Sequence, residues 1–408
     1  MSSSWAGGDA VGTEAGAGRI VVTGRAGAIP TALLRCDALR GPDAQVRLLL
    51  HDDGPDPDAE LAADDGADEG SEPVSEPGSE PGSEPGDATP VGRGGGPDEE
   101  TSVTRVDLSS PALATHLRGA HTVVHVALGT DVEVEQAVPP AQRRAESVRF
   151  AQTVLTSAVA VGARQVVVIT SARVYGARPD NPVPLTEADP VRPNPDAGLA
   201  MDLVAVEDVV ERARSTYPGV RFVLVRPAAV VGDGVDTPVS RHFAAPRLLT
   251  IRDTEPLWQF VHVDDLASAV ATVVRAAPGP VVNVAAAGWL TQEQVEELSG
   301  MRRIEVARSI AVGTAQRLHQ IGLLRSPAAD LDFVTHPWVV DSRLLRDAGW
   351  VPAHDNEACL RALLEGVDAF SIGLPTVRKD AALGAASATV AMVATAAIMR
   401  RRRRKGGS

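Results

Sequence analysis

The chain has 408 residues, of which 44% are hydrophobic and only 3% aromatic, so it can bury one large core or two ordinary ones, built mainly from Ala, Val and Leu. Two cysteines, Cys36 and Cys359, are too few for a disulfide framework and lack zinc-ligand spacing, which points to a reducing compartment. The net charge of −14 does not by itself imply a basic partner, because residues 52–100 carry 17 Asp and Glu against Arg93 alone and leave the rest of the chain at +2.

Residues 1–18 are rich in Gly, Ala and Ser, with neither a basic start nor an apolar run. They are expected to form a flexible tail and not a signal peptide, so the protein is expected in the cytoplasm. The stretch "RIVVTGRAGAIPTALL" then reads as a buried strand, a glycine turn and a helix. Gly24 would permit the tight turn, and Gly27 would let the backbone approach a pyrophosphate held at the N-terminus of the helix. Pro30 stands where a third glycine is usual; it suits a first helical turn but should tilt or displace the helix. A second strand, "QVRLLLHD", ends in Asp52, which is placed to bond adenosine ribose hydroxyls and to favour NAD over NADP, although NADP stays open.

Residues 55–98 contain "SEPVSEPGSEPGSEPG" and no apolar periodicity, so this segment is expected to be a disordered insertion. Beyond it, "TSVTRVDL", "HTVVHVAL", "RQVVVITS", "RFVLVRPA" and "GPVVNVA" are Val-rich strand candidates, separated by helical patterns such as 147–161 and 205–215. Continuous apolar strands with crossover helices imply a doubly wound parallel α/β sheet. The expected organisation is a Rossmann domain over 19–235, a smaller substrate lobe with returning Rossmann elements over 236–372, and a tail over 376–408. His116, His121 and His125 have no metal-ligand spacing, and no metal is expected.

Residues 381–399 carry no charge and precede "RRRRRK". A helix of that length would be about 28 Å, just enough to span a bilayer, yet it is mostly Ala. Two readings stay open: a peripheral or tail anchor on an anionic membrane surface through 381–405, or a solvated terminal helix. The arginines lack interleaved aromatics, so no nucleic acid partner is expected.

The pieces "VVTGRAGAIP", "VDL", "VVHVAL", "VVVITSARVYG", "VLVRPAAVVGDG", "FVHVDDLASAV" and "DSRLLRDAGWVP" occur in an order that resembles the extended short-chain dehydrogenase/reductases. The resemblance is to their NAD-dependent epimerase/dehydratase family, which includes UDP-glucose 4-epimerase, and particularly to an actinobacterial branch with eroded motifs. It covers 19–367 and implies that Gly24, Gly27 and the backbone near Ile29 cradle the pyrophosphate. It further implies that Asp107 and Leu108 flank adenine, that Val126 and Ala127 line the nicotinamide ribose, and that the backbone after Arg226 and Pro227 meets the carboxamide. Ser171 falls where the family bonds the reacting oxygen of the substrate, and Tyr175 in the same element is a candidate substrate contact.

The departure lies in "RPNPDAGLAMDLVAVEDVVE". With Glu207 as anchor, Leu199 and Leu203 occupy the positions of the family's Tyr and Lys, and neither can carry a proton or a charge. Asp202 is the only ionisable neighbour and reads as a solvated helix residue, and Ser147 stands where the family keeps an Asn. The resemblance thus implies a nucleotide sugar as substrate or ligand, with impaired catalysis of the standard kind; the alternative is a catalytically silent dinucleotide-binding sensor or scaffold. A homodimer through two long helices is a further implication of the family.

Overall fold

The structure, a computed structural model, describes residues 18–40, 45–52, 103–195, 198–320 and 328–372. The acidic insertion, the N-terminal tail before Gly18 and the apolar and basic segment 376–408 lie outside the described residues. Among the described residues no helix is long and apolar enough to cross a membrane.

The seven Val-rich runs form one sheet. β1 (Arg19–Gly24), β2 (Val46–His51), β3 (Val103–Val106), β4 (Ala120–Val126), β5 (Gln165–Ile169), β6 (Arg221–Pro227) and the edge strand Val281–Val284 are all parallel. Their order is edge strand, β6, β5, β4, β1, β2, β3. Alternate side chains enter opposite cores: Ile20, Val22, Val167 and Ile169 join one cluster, and Val21, Val166 and Val168 the other. Both faces are therefore covered by helices, and apolar runs without a polar alternation are what such strands require. Chain order reverses between β1 and β4, which opens a crevice at their carboxyl ends where this architecture binds ligands.

The helices expected over 147–161 and 205–215 are longer, at Pro140–Ala160 and Gly198–Thr216. Their first turns escape an apolar-periodicity reading because Arg143 and Asp202, both buried, supply the inward-facing groups there. Beyond β6, short strands pair as Leu248–Ile251 with Arg303–Val306 and as Leu257–Trp258 with Leu290–Thr291. The few aromatic residues gather here: Phe243, Trp258, Phe260, Phe333 and Trp338 share one core cluster. The helix Val263–Ala276 then returns to cover the main sheet, with Leu266 and Val270 fully buried in its core.

Two buried histidines give the fold an acid limit. His125, on β4 with its Nδ1 3.0 Å from Thr23 Oγ1, and His242, stacked on Trp258 at 5.3 Å, both have pKa values pushed down to about 4 by burial. Each is neutral in the fold at a pH where the unfolded chain, with an ordinary imidazole, binds a proton. Their stabilising contribution is thus complete above pH 6.5 and is lost as pH falls toward 4, by about 3 kcal/mol per ring. Urea midpoints should drop steeply between pH 6.5 and 4.5, and less so in His242→Phe; a flat profile over that range would contradict this account.

Candidate functional site

The carboxyl end of β1 leads through Gly24–Gly27 into the helix Ala28–Arg35. A Cβ at Gly24 would come within 3.0 Å of Val126 Cβ and 3.1 Å of Val126 O, so glycine lets the turn pass the end of β4 without displacing Val126. A Cβ at Gly27 would meet Thr130 Oγ1 at 3.0 Å. Thr31 begins the helical bonding, its N–H and Oγ1 donating to Gly27 O at 3.3 and 2.9 Å. Pro30 is buried in the first turn, and Ile29 and Leu33 still reach the core. The helix thus packs on the sheet with the pyrrolidine ring in the place of the third glycine, and Pro30 itself lines the crevice.

On the other wall of the crevice stand Val126, Ala127, Leu128, Gly129, Thr130 and Glu135, with Ser147 and Phe150 from the helix Pro140–Ala160. Val126 and Ala127 thus border this crevice. Thr130 Oγ1 accepts the Ala28 N–H at 3.2 Å and caps the turn from across the crevice. Arg25 pairs with Glu146 at 3.0 Å and lies over the Phe150 ring at 5.3 Å, and His51 packs on that ring at 4.3 Å. Asp52 is exposed at the end of β2. Asp107 is exposed too, and its carboxyl is held below the usual range by the Ser109 hydroxyl and amide. Leu108 differs from its expected place beside adenine: its side chain is fully buried with Val21 and Leu49, and its N–H donates to His51 Nδ1 at 3.2 Å.

The elements expected to meet a substrate are drawn inward. Ser171 is buried; its hydroxyl accepts the Arg173 N–H at 3.2 Å and donates to Pro227 O at 3.4 Å, so it caps the turn Ala172–Tyr175. Tyr175 was expected to face the substrate and instead lies in the core at 1% exposure, its hydroxyl donating to Asn283 Oδ1 at 3.0 Å. The Arg226 guanidinium lies 4.7 Å from that ring and grips Glu207 with two bonds, at 3.0 and 2.6 Å. Glu207 also accepts the Thr170 hydroxyl at 2.7 Å. Beyond Pro227, the Ala228 N–H is already committed to Val284 O at 2.9 Å.

Leu199 is half-buried and Leu203 buried on the helix Gly198–Thr216. Asp202 overturns its expected solvated role: it is 4% exposed, and Arg143 Nε and Arg144 Nε donate to its two oxygens at 2.6 and 2.9 Å. Two opposing guanidiniums occupy both of its oxygens and make it a structural counter-ion.

The profile of the NAD dependent epimerase/dehydratase family matches residues 20–285. The chain belongs to this family. Uncharacterized proteins of Mycobacterium tuberculosis and Mycobacterium bovis are each 26% identical to it over 198 residues, 48% of this chain and 52% of theirs. The chain thus spans about half the length of these curated relatives. Solved structures of similar fold include the dTDP-glucose 4,6-dehydratase DesIV of Streptomyces venezuelae with NAD bound, at TM-score 0.57 and 20% identity over 86% of this chain and 97% of that one. The UDP-glucuronic acid 4-epimerase of Bacillus cereus, in complex with NAD, has TM-score 0.57 at 13% identity, over 86% of this chain and 99% of its own.

NAD is the cofactor of the epimerase/dehydratase family, and the glycine turn fits it. Gly24 and Gly27 leave the backbone bare at the two places where a Cβ would fill the cradle, and the helix N-terminus opens onto it. A second cleft of about 550 Å³ lies farther along, between the loop after Gly176 and the end of the strand Leu248–Ile251. Arg178, Arg252, Arg308, His336, Asn194 and Thr254 line it, against the carboxylates of Asp253 and Asp332. Arg308 donates to Asp332 at 2.7 Å and lies 3.0 Å from His336 Nε2. None of the three arginines stands out in the sequence, because each is one basic residue in a polar loop or at an element's end. The acidic run around Glu135 likewise reads as plain solvated helix.

Proposed function

We propose that the chain binds NAD at the glycine turn and a nucleotide sugar in the arginine-lined cleft, and that proton transfer of the family's usual kind is impaired. An intact dinucleotide cradle paired with leucines at 199 and 203 carries this reading. The turn and helix N-terminus hold the phosphates, Asp52 accepts the ribose hydroxyls, and the three guanidiniums suit a diphosphate. Bound NAD would supply a hydride acceptor for a sugar carbon. A tyrosine and a lysine would move the accompanying hydroxyl proton, and leucine can do neither. General acid–base work contributes roughly 10²- to 10⁴-fold, and turnover is expected to be lower by that order.

Calorimetric titration of the full chain with NAD⁺, then with UDP- and dTDP-sugars, tests the binding. L199Y/L203K tests the chemistry: at least about a tenfold gain in turnover is expected if these positions limit it. Saturable binding with no gain favours the second reading, a silent sensor or scaffold, which the inward-turned Ser171 hydroxyl already supports. Failure of NAD⁺ to bind at all would refute the cofactor assignment.

A further inference from the structure

The crevice at the glycine turn is narrow, about 40 Å³, and two carboxylic acids line it, the exposed Asp131 and the half-buried Glu135. Glu135 belongs to the short helix Val132–Ala137, which is tied down on every side. Val132 N–H donates to Asp236 O at 3.1 Å, Asp236 N–H to Thr130 O at 2.7 Å, and Arg143 Nη1 to Glu135 O at 3.0 Å. The half-buried side chain lies against Gly129, where any Cβ would collide with its carboxyl.

The charges around this carboxyl come from every element that packs on it. Arg25 reaches it from the glycine turn and Arg143 from the helix Pro140–Ala160; Asp131 is on its own loop and Asp202 on the helix Gly198–Thr216. Glu146 and the neutral His125 complete the surroundings. Both cations already serve other acids, Arg25 pairing with Glu146 at 3.0 Å and Arg143 with Asp202 at 2.6 Å. The two aspartates add like charge. Burial is the dominant influence and pushes the Glu135 pKa above its ordinary value.

A pyrophosphate held by Gly24 and Gly27 would add negative charge beside this carboxyl, and two like charges in a desolvated crevice cannot both stay ionised cheaply. We propose that Glu135 makes dinucleotide binding proton-linked: its carboxyl takes up a proton as the phosphates enter, and the neutral acid then donates a hydrogen bond to a phosphate oxygen. This rests on the assignment of NAD to the glycine turn. The sign is fixed by linkage: the bound state holds more protons, so affinity falls as pH rises, by up to about tenfold per pH unit.

The test is calorimetry of the full chain with NAD⁺ from pH 5 to 8, in pairs of buffers of different ionisation enthalpy. NAD⁺ has no phosphate that titrates in this range, so uptake belongs to the protein. The wild type should take up protons on binding and weaken with rising pH. Glu135→Gln, always neutral, should bind independently of pH, without uptake, and more tightly than wild type at pH 8. Glu135→Ala serves the same comparison should the Gln variant misfold, as judged by circular dichroism. Wild-type binding that is level across pH, or a pH dependence that persists in both variants, overturns the role of Glu135 and leaves the cofactor site standing. No NAD⁺ binding by wild type or variant at any pH overturns both.

Discussion

Glu207→Ala is expected to cost about 3–5 kcal/mol of folding stability, a large share of the roughly 5–15 kcal/mol that an ordinary domain possesses. Its partner Arg226 is 5% exposed, so the substitution leaves a guanidinium without its bidentate carboxylate in a place water does not reach. The Thr170 hydroxyl loses an acceptor at the same time. Most of the loss is the penalty of the stranded charge and not the net worth of the pair, which makes a second variant decisive. E207L/R226L removes both charges and should recover most of the stability, since a buried pair replaced by apolar groups is often nearly neutral. Urea unfolding of the two variants reads this directly. A loss under about 1 kcal/mol for Glu207→Ala would mean that Arg226 finds water or another acceptor.

The same residues show why the sequence reveals the sheet better than the site. Val166, Val167 and Val168 mark β5 because a strand buried on both faces needs an unbroken apolar run, and that demand is local. Gly24 and Gly27 are equally legible, since a turn that passes Val126 and Thr130 this closely would crowd a Cβ. Leu199 and Leu203 can be placed only through Glu207, eight and four residues onward in the same helix. Nothing local announces that Tyr175 turns inward, because its partner Asn283 lies 108 positions away. The clasp across the crevice is hidden for the same reason: Thr130 and Ala28 are separated by 102 residues. Long-range pairing decides whether a polar side chain faces a ligand or the core, and periodicity carries no record of it.

Asp202 is the sharpest instance, and its removal is the second large effect. In Asp202→Ala, Arg143 is left 7% exposed with its carboxylate gone, and the expected cost is again about 3–5 kcal/mol. Arg144 shares the same carboxylate but has a side chain 42% exposed, so water can replace the lost bond. Arg144→Ala should therefore cost no more than about 1 kcal/mol, although both arginines appear as equal partners in the contact geometry. The difference between the two tests whether burial, and not contact, sets the value of this triad. The consequences also reach the crevice, because Arg143 holds the backbone oxygen of Glu135 at 3.0 Å. With Asp202 absent, Arg143 is free to turn its charge on the Glu135 carboxyl, lower its pKa and narrow the pH range over which NAD⁺ binds well. D202L/R143L removes that alternative partner and should restore stability while leaving Glu135 as reluctant to ionise as before. Equal losses for Arg143→Ala and Arg144→Ala, with no change in the NAD⁺ pH profile of Asp202→Ala, would show that Asp202 braces the helix Gly198–Thr216 and has no link to the cofactor crevice.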